Sequence, residues 1–307
     1  MRTIIFDHTD RLRSGWRASI FFLAFSLIAF ALIGACLVVM AQFPIPESSA
    51  APLRLALPFA LSTAVALIVG WLCAKFFDRV PFRSLGASLT KGWLAHLLIG
   101  LGVGAGTFLI ALVITLASGG VRINVNTISS NSAIGATLLS TLVIFAVGAA
   151  SEETLFRGYL LQTFLRSDHL NLAVALTAFL FASAHGGNPG VNGLAWANTL
   201  LAGIWFAVAY LKTRDLWLPF GIHLAWNWLQ GPVFGISVSG ISGFASDPLF
   251  RAADNGPGWL TGGEYGIEGG VACFAALVIS TVILWKMPGI KADNELVALT
   301  SPIRPVS

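Results

Sequence analysis

Apolar runs of about twenty residues recur from one end of this chain to the other, and this recurrence limits the fold more than any other feature. A helix of that length spans the hydrocarbon core of a bilayer, and its backbone groups are satisfied within the segment itself. The runs fall at roughly 16–41, 55–75, 93–117, 136–157, 170–186, 194–211, 216–236 and 271–287. The expected fold is therefore all-α, a polytopic membrane helical bundle of about eight transmembrane helices. One integral membrane domain should cover residues 1–307, with cytoplasmic tails at 1–15 and 289–307, the latter short and disordered beyond Pro288.

Composition agrees. Hydrophobic residues make up 56% of the 307 and charged residues only 10%, against roughly 25% charged in soluble domains. Cys36, Cys73 and Cys273 all lie in apolar runs and read as small core residues, with no disulfide framework or cysteine metal site. The run from Trp16 to Ala41 is too long for a signal-peptide core and reads as an uncleaved first span, although Ser48-Ser49-Ala50-Ala51 weakly resembles a cleavage site.

The basic residues set the orientation. With the N-terminus in the cytoplasm, all 18 Lys and Arg except Arg54, Arg122 and Arg251 fall in cytoplasmic segments or at their edges. That asymmetry follows the positive-inside rule and places both termini in the cytoplasm. It also accounts for the isoelectric point near 9.2 without nucleic acid as a partner. Gly100, Gly102, Gly104 and Gly106 follow no soluble strand and read as close helix packing rather than a nucleotide loop. No inverted repeat is visible, which argues against a transporter. The longest segment between spans, about 237–270, is rich in Gly, Ser and Pro and belongs outside.

Ionisable groups at bilayer depth cost at least ~2.5 kcal/mol each on insertion scales and mark function or paired architecture. Ser151-Glu152-Glu153-Thr154-Leu155-Phe156-Arg157 holds three of them. Glu153 and Arg157 are four apart and share a helix face, whereas Glu152 is rotated by about 100°. Glu153 is thereby neutralised and Glu152 left free for chemistry; the plainer alternative is a helix-end cluster reaching the cytoplasmic surface. Phe181-x-x-x-His185 and His223-x-x-x-Asn227 are two further one-turn pairs. Each alone is compatible with helix packing. If the chain turns back between Arg166 and Asn171, Glu152 and His185 both lie about 21 Å from that turn, with His223 and Asn227 at a similar depth.

A carboxylate, two imidazoles and an amide in one layer form an active-site inventory. Glu152 suits a general base, His185 a water-holding partner, and His223 with Asn227 an oxyanion site. Glu152, His185 and His223 equally suit zinc with an open position, and spacing does not choose between a metal and a metal-free site. A serine mechanism of the rhomboid kind fails, because Gly240-Ile241-Ser242-Gly243 has no histidine after it. An aspartyl mechanism fails because no Asp falls inside any of the runs.

The three motifs in this order resemble the CPBP family, which comprises type II CAAX prenyl endopeptidases and the bacteriocin-processing or immunity proteins of the Abi group. The resemblance extends to Phe156-Arg157-Gly158-Tyr159-Leu160, Leu216-Trp217-Leu218-Pro219 and the glycine-rich Gly262–Gly269, with a motif core of about 135–235. It implies a membrane endopeptidase acting on a membrane-associated protein or peptide, and the short loops and compact plan of the chain point to a bacterial inner membrane. The catalytic residues would be Glu152, His185, His223 and Asn227, supported by Glu153, Arg157 and Phe181. Both a metalloprotease and a metal-free glutamate mechanism are associated with the family. The alternative function is a non-catalytic immunity or scaffold protein that binds another membrane protein.

Overall fold

The computed structural model describes residues 2–6, 11–42 and 47–302. Its helices are α1 (Arg2–Ile5), α2 (Ser14–Ala41), α3 (Glu47–Cys73), α4 (Trp93–Ala117), α5 (Asn131–Glu153), α6 (Leu161–Leu165), α7 (Leu170–Ala184), α8 (Gly193–Thr213), α9 (Trp217–Trp228), α10 (Gly258–Thr261), α11 (Val271–Lys286) and α12 (Asn294–Thr300). Among the described residues, five helical segments are long and apolar enough to cross a membrane. They are Ser14–Ala41, Pro52–Asp78, Trp93–Ala117, Asn131–Leu165 and Gly193–Thr213. The other three expected spans are shorter helices: α7 has 15 residues, α11 has 16 and α9 has 12. Apolar side chains face outward, with Leu27 and Phe30 of α2 71% and 84% exposed, while Arg157, Glu153 and Gln162 are buried. That inversion of the soluble pattern suits a lipid surround.

The all-helical expectation has one exception. Strands β1 (Val121–Val125) and β2 (Phe250–Asp254) pair antiparallel, Val121 opposite Asp254 and Val125 opposite Phe250. The ribbon uses loop residues, and its ladder satisfies backbone groups that a plain loop would leave to solvent. The expectation of a disordered end is also corrected. After Pro288 the chain forms α12, whose Leu296 and Thr300 are fully buried and whose Glu295 pairs with Arg83 at 2.9 Å. Asp293 accepts the N–H of Glu295 at 2.8 Å and starts that helix. Residues 303–307 of the expected tail, and residues 1 and 7–10 of the N-terminal one, lie outside the described residues.

Two of the four third-span glycines fix the position of α9. A β-carbon at Gly100 would lie 2.4 Å from the Leu218 carbonyl oxygen, and one at Gly104 would lie 2.2 Å from that of Ile222. Gly221 of α9 meets the Leu97 carbonyl in the same way at 2.5 Å. Gly102 and Gly106 have open space instead. The two backbones therefore touch along one stripe, as small residues four apart allow, one residue from His223. At the start of α9, Asp215 accepts the N–H of Trp217 at 3.0 Å and pairs with His96 of α4 at 2.5 Å.

A second buried cluster ties the first span to the α6–α7 hairpin. Arg17 and Arg166 both pair with Asp78, and Arg17 also donates to Ser167 at 2.7 Å. Asp78 closes the second span at its end, so an aspartate does occur at a membrane segment, but as an architectural partner.

Candidate active site

Glu152 and Glu153 form the last turn of α5, after which the helix widens into a π turn over Thr154–Leu160. Gly158 leaves helical geometry there (φ −70°, ψ −121°), and α6 resumes the path. Such π turns recur at functional sites because they re-aim side chains without ending the helix. Arg157 reaches back to Glu153, Nη1 to Oε1 at 3.2 Å, and donates from Nη2 to the Gly203 carbonyl of α8 at 3.0 Å. The rings of Phe181 and Phe206 lie 4.7 and 5.0 Å from the guanidinium carbon. A desolvated ion pair is tolerated where its charges cancel, and the aromatic faces add to that, although Arg157 Nε and Glu153 Oε2 have no hydrogen-bond partner among the described residues.

His185 caps the end of α7, and its Nδ1 lies 2.8 Å from the Phe181 carbonyl oxygen. A carbonyl only accepts, so Nδ1 carries a proton and Nε2 is the nitrogen turned toward Glu152. His223 is fixed by the same logic. Its Nδ1 is 3.0 Å from Glu153 Oε1, and its ring stacks on Phe206 at 4.7 Å. Both Nε2 atoms lie 3.9 Å from Glu152 Oε2, a buried oxygen that has no hydrogen-bond partner among the described residues. This spacing is too wide for a direct hydrogen bond and suits one bridging water.

These groups line a cavity of about 320 Å³ that also includes Asn227, one turn beyond His223. The structure thus gathers all four residues expected to be catalytic in one cavity, with Phe181 in its lining and Glu153 and Arg157 buried behind it. It also links the two glutamates more closely than their helical register implies, since His223 faces Glu153 with one nitrogen and Glu152 with the other.

Glu268 was not among the residues singled out from sequence, yet it lines the same cavity. Its carboxylate accepts the indole N–H of Trp226 at 3.2 Å, the backbone N–H of Ser239, and the Ser239 hydroxyl at 3.1 Å. Burial pushes its carboxyl above the usual range, and the Ser239 donors pull it back. The glycine-rich stretch Gly262–Gly269 was a visible signal, but a turn-rich stretch has no period from which to read which side chain points inward. Here glycines let loops cross backbone to backbone. A β-carbon at Gly240 would lie 2.0 Å from the Pro189 carbonyl oxygen, and one at Gly266 would lie 2.0 Å from that of Ser237. Asn188 donates to the Ser239 carbonyl at 2.9 Å, and Gly240 N–H to that of Tyr265 at 2.9 Å. The turns after His185, after α9 and before α11 are thereby locked together beside the cavity.

The residues as placed do not form a metal-ligand set. Tetrahedral zinc with bonds of about 2.0–2.2 Å separates neighbouring ligand atoms by roughly 3.3 Å. The two 3.9 Å separations exceed that, and among the described residues no group of three or more His, Cys, Asp or Glu is arranged to hold a metal ion.

Residues 134–229 match the family model described as type II CAAX prenyl endopeptidase Rce1-like, in line with the CPBP resemblance of the motifs. The matched stretch contains Glu152, Glu153, Arg157, Phe181, His185, His223 and Asn227, and it ends before Glu268. An "Uncharacterized 24.3 kDa protein" of Escherichia coli is 36% identical over 101 residues. That similarity spans 32% of this chain and 45% of the relative, so the chain covers less than half of the relative's length.

Proposed function

We propose that this chain, starting from its match to the Rce1-like endopeptidase model, is an intramembrane endopeptidase that hydrolyses a peptide bond of a membrane-associated protein or peptide. The observation that carries this reading is the unpartnered Glu152 Oε2 at 3.9 Å from the Nε2 atoms of both His185 and His223, at the wall of a cavity large enough for an extended peptide segment. Glu152 takes a proton from a water held between Oε2 and His185 Nε2. The water oxygen bonds to the scissile carbonyl carbon, and the C=O π pair moves onto the oxygen. His223 and Asn227 stabilise that oxyanion. In this role His223 carries protons on both ring nitrogens, giving Nδ1–H to Glu153 and Nε2–H to the substrate. The tetrahedral intermediate then loses its amine, which leaves with the proton returned from Glu152. The Glu153–Arg157 pair fixes His223 from behind, and the dry aromatic wall strengthens each of these interactions.

The topology that fits this role has eight spans in a single integral membrane domain, with both termini cytoplasmic, in a bacterial inner membrane. In that orientation the locked turns lie on the outer side. The direct test is cleavage of a membrane-protein library by purified protein in liposomes. New protein termini should appear with wild type and be absent with Glu152→Gln, and equal cleavage by the variant would refute the mechanism.

A further inference from the structure

The end of the cavity formed by Glu268 and Asn198 is built to take a positive charge. Asn198 is 1% exposed, and both its Nδ2 protons are committed, to the Glu268 carbonyl at 2.7 Å and the Gly270 carbonyl at 2.9 Å. Two carbonyl acceptors fix the amide orientation, since the amide oxygen cannot serve them. Its Oδ1 is thus an oriented, buried acceptor with no hydrogen-bond partner among the described residues. Beside it, the Glu268 carboxylate is met by the N–H groups of Trp226 and Ser239 and by the Ser239 hydroxyl. These are neutral donors. Backbone and indole N–H groups can only donate, which favours the ionised carboxylate. Among the described residues no Lys or Arg lines the cavity; the histidine that the mechanism protonates, His223, turns to Glu152 and Glu153, and Glu152 adds a second carboxylate to the same cavity. Trp205 and Trp226 also line the cavity. An oriented acceptor and a carboxylate met by neutral donors, in a cavity without Lys or Arg among the described residues, together describe a receptor for a cationic hydrogen-bond donor.

We propose that this end of the cavity is a specificity subsite that accepts the side chain of a basic residue, Lys or Arg, of the bound peptide segment. The proposal rests on the peptidase reading of the same cavity. A lysine ammonium is drawn in by Glu268 and donates to Asn198 Oδ1, whereas a glutamate at that place meets the like charge of Glu268.

The test uses detergent-solubilised full chain carrying Glu152→Gln, so that bound peptide is not consumed. Acetylated and amidated octapeptides of Ala and Leu carry a single Lys, norleucine or Glu at each position in turn, and their dissociation constants are measured. Lys should bind about tenfold or more tightly than norleucine at one position at least, with Glu the weakest there. Adding Glu268→Gln should remove most of that gain. Equal binding of the three peptides at every position, no binding of any peptide, or a lysine gain untouched by Glu268→Gln would overturn the subsite. The comparison of lysine with norleucine needs no change at Glu268, so it stands even if that variant folds badly. The same peptides given to wild type separate the two ideas. Lysine-selective binding without cleavage leaves the subsite standing and sinks the hydrolytic reading. Cleavage without lysine selectivity does the reverse.

Discussion

At the scale of single residues, adjacent glutamates hold different positions because a helix turns about 100° between them. Glu153 is fully buried against Arg157 and His223, while Glu152 keeps an oxygen free beside two imidazoles. Their replacements should therefore fail differently. Glu152→Gln is expected to lower kcat by about a thousandfold with little effect on folding, as loss of a general base does. Asn227→Ala should lower kcat by about 10²–10³ with little change in KM, as loss of an oxyanion donor does. A KM effect alone would move Asn227 from the oxyanion to substrate binding. Arg157→Leu strands Glu153 as a buried charge and should cost ~3–5 kcal/mol of stability. Unfolding of the purified protein by denaturing detergent measures this, and Glu153→Gln added to Arg157→Leu should restore part of it. An additive loss in the double variant would show that the two side chains do not act as a pair.

Among the elements, the contact of α4 with α9 sets where His223 stands. A methyl at Gly104 meets the Ile222 carbonyl at 2.2 Å, so Gly104→Ala should push α9 away and reduce both activity and stability. Gly102→Ala on the same helix meets nothing within 4 Å and should be neutral in both assays. Equal effects of the two would mean that the stripe is not what positions α9. The pattern of i and i+4 residues made the paired motifs legible in sequence, because that spacing places side chains on one helix face whatever the surroundings. It did not separate Gly100 and Gly104 from Gly102 and Gly106, since that distinction depends on which neighbour arrives from far along the chain. The π turn after Glu153 and the shortness of α9 were also hidden, because hydropathy averages over a window longer than either. Glu268 and Asn198 were missed for a related reason. Their meaning comes from contacts between distant loops, and no local period records those.

Over the whole molecule, the buried charges of the described residues gather in paired assemblies that join elements far apart in the chain. Arg17, Asp78 and Arg166 lock the first two helical spans to the α6–α7 hairpin, and His96 with Asp215 locks α4 to α9. The proposed topology places both assemblies toward the cytoplasmic side and the locked glycine loops on the outer side. Single cysteines at Arg13 and Ser301 in a background lacking Cys36, Cys73 and Cys273 should be labelled by an impermeant maleimide only when the cytoplasmic face is opened. A cysteine at Asn255 should be labelled from the outside of intact cells, and the reverse pattern would invert the topology.

The shortness of α9 has a consequence for how such a chain is made. Its twelve α-helical residues continue into a five-residue π turn that contains Pro232, and the segment carries His223, Asn227 and Gln230. Judged alone by the insertion machinery, such a segment competes poorly for lipid. Its own hydrophobicity matters less than the glycine stripe of α4, which is synthesised long before it and waits as a template. On the proposed reading, the histidine assigned to the oxyanion would then enter the bilayer as the passenger of another helix. Damage to that template would be read first by the cell's quality control, as lost protein, before it is read as lost catalysis.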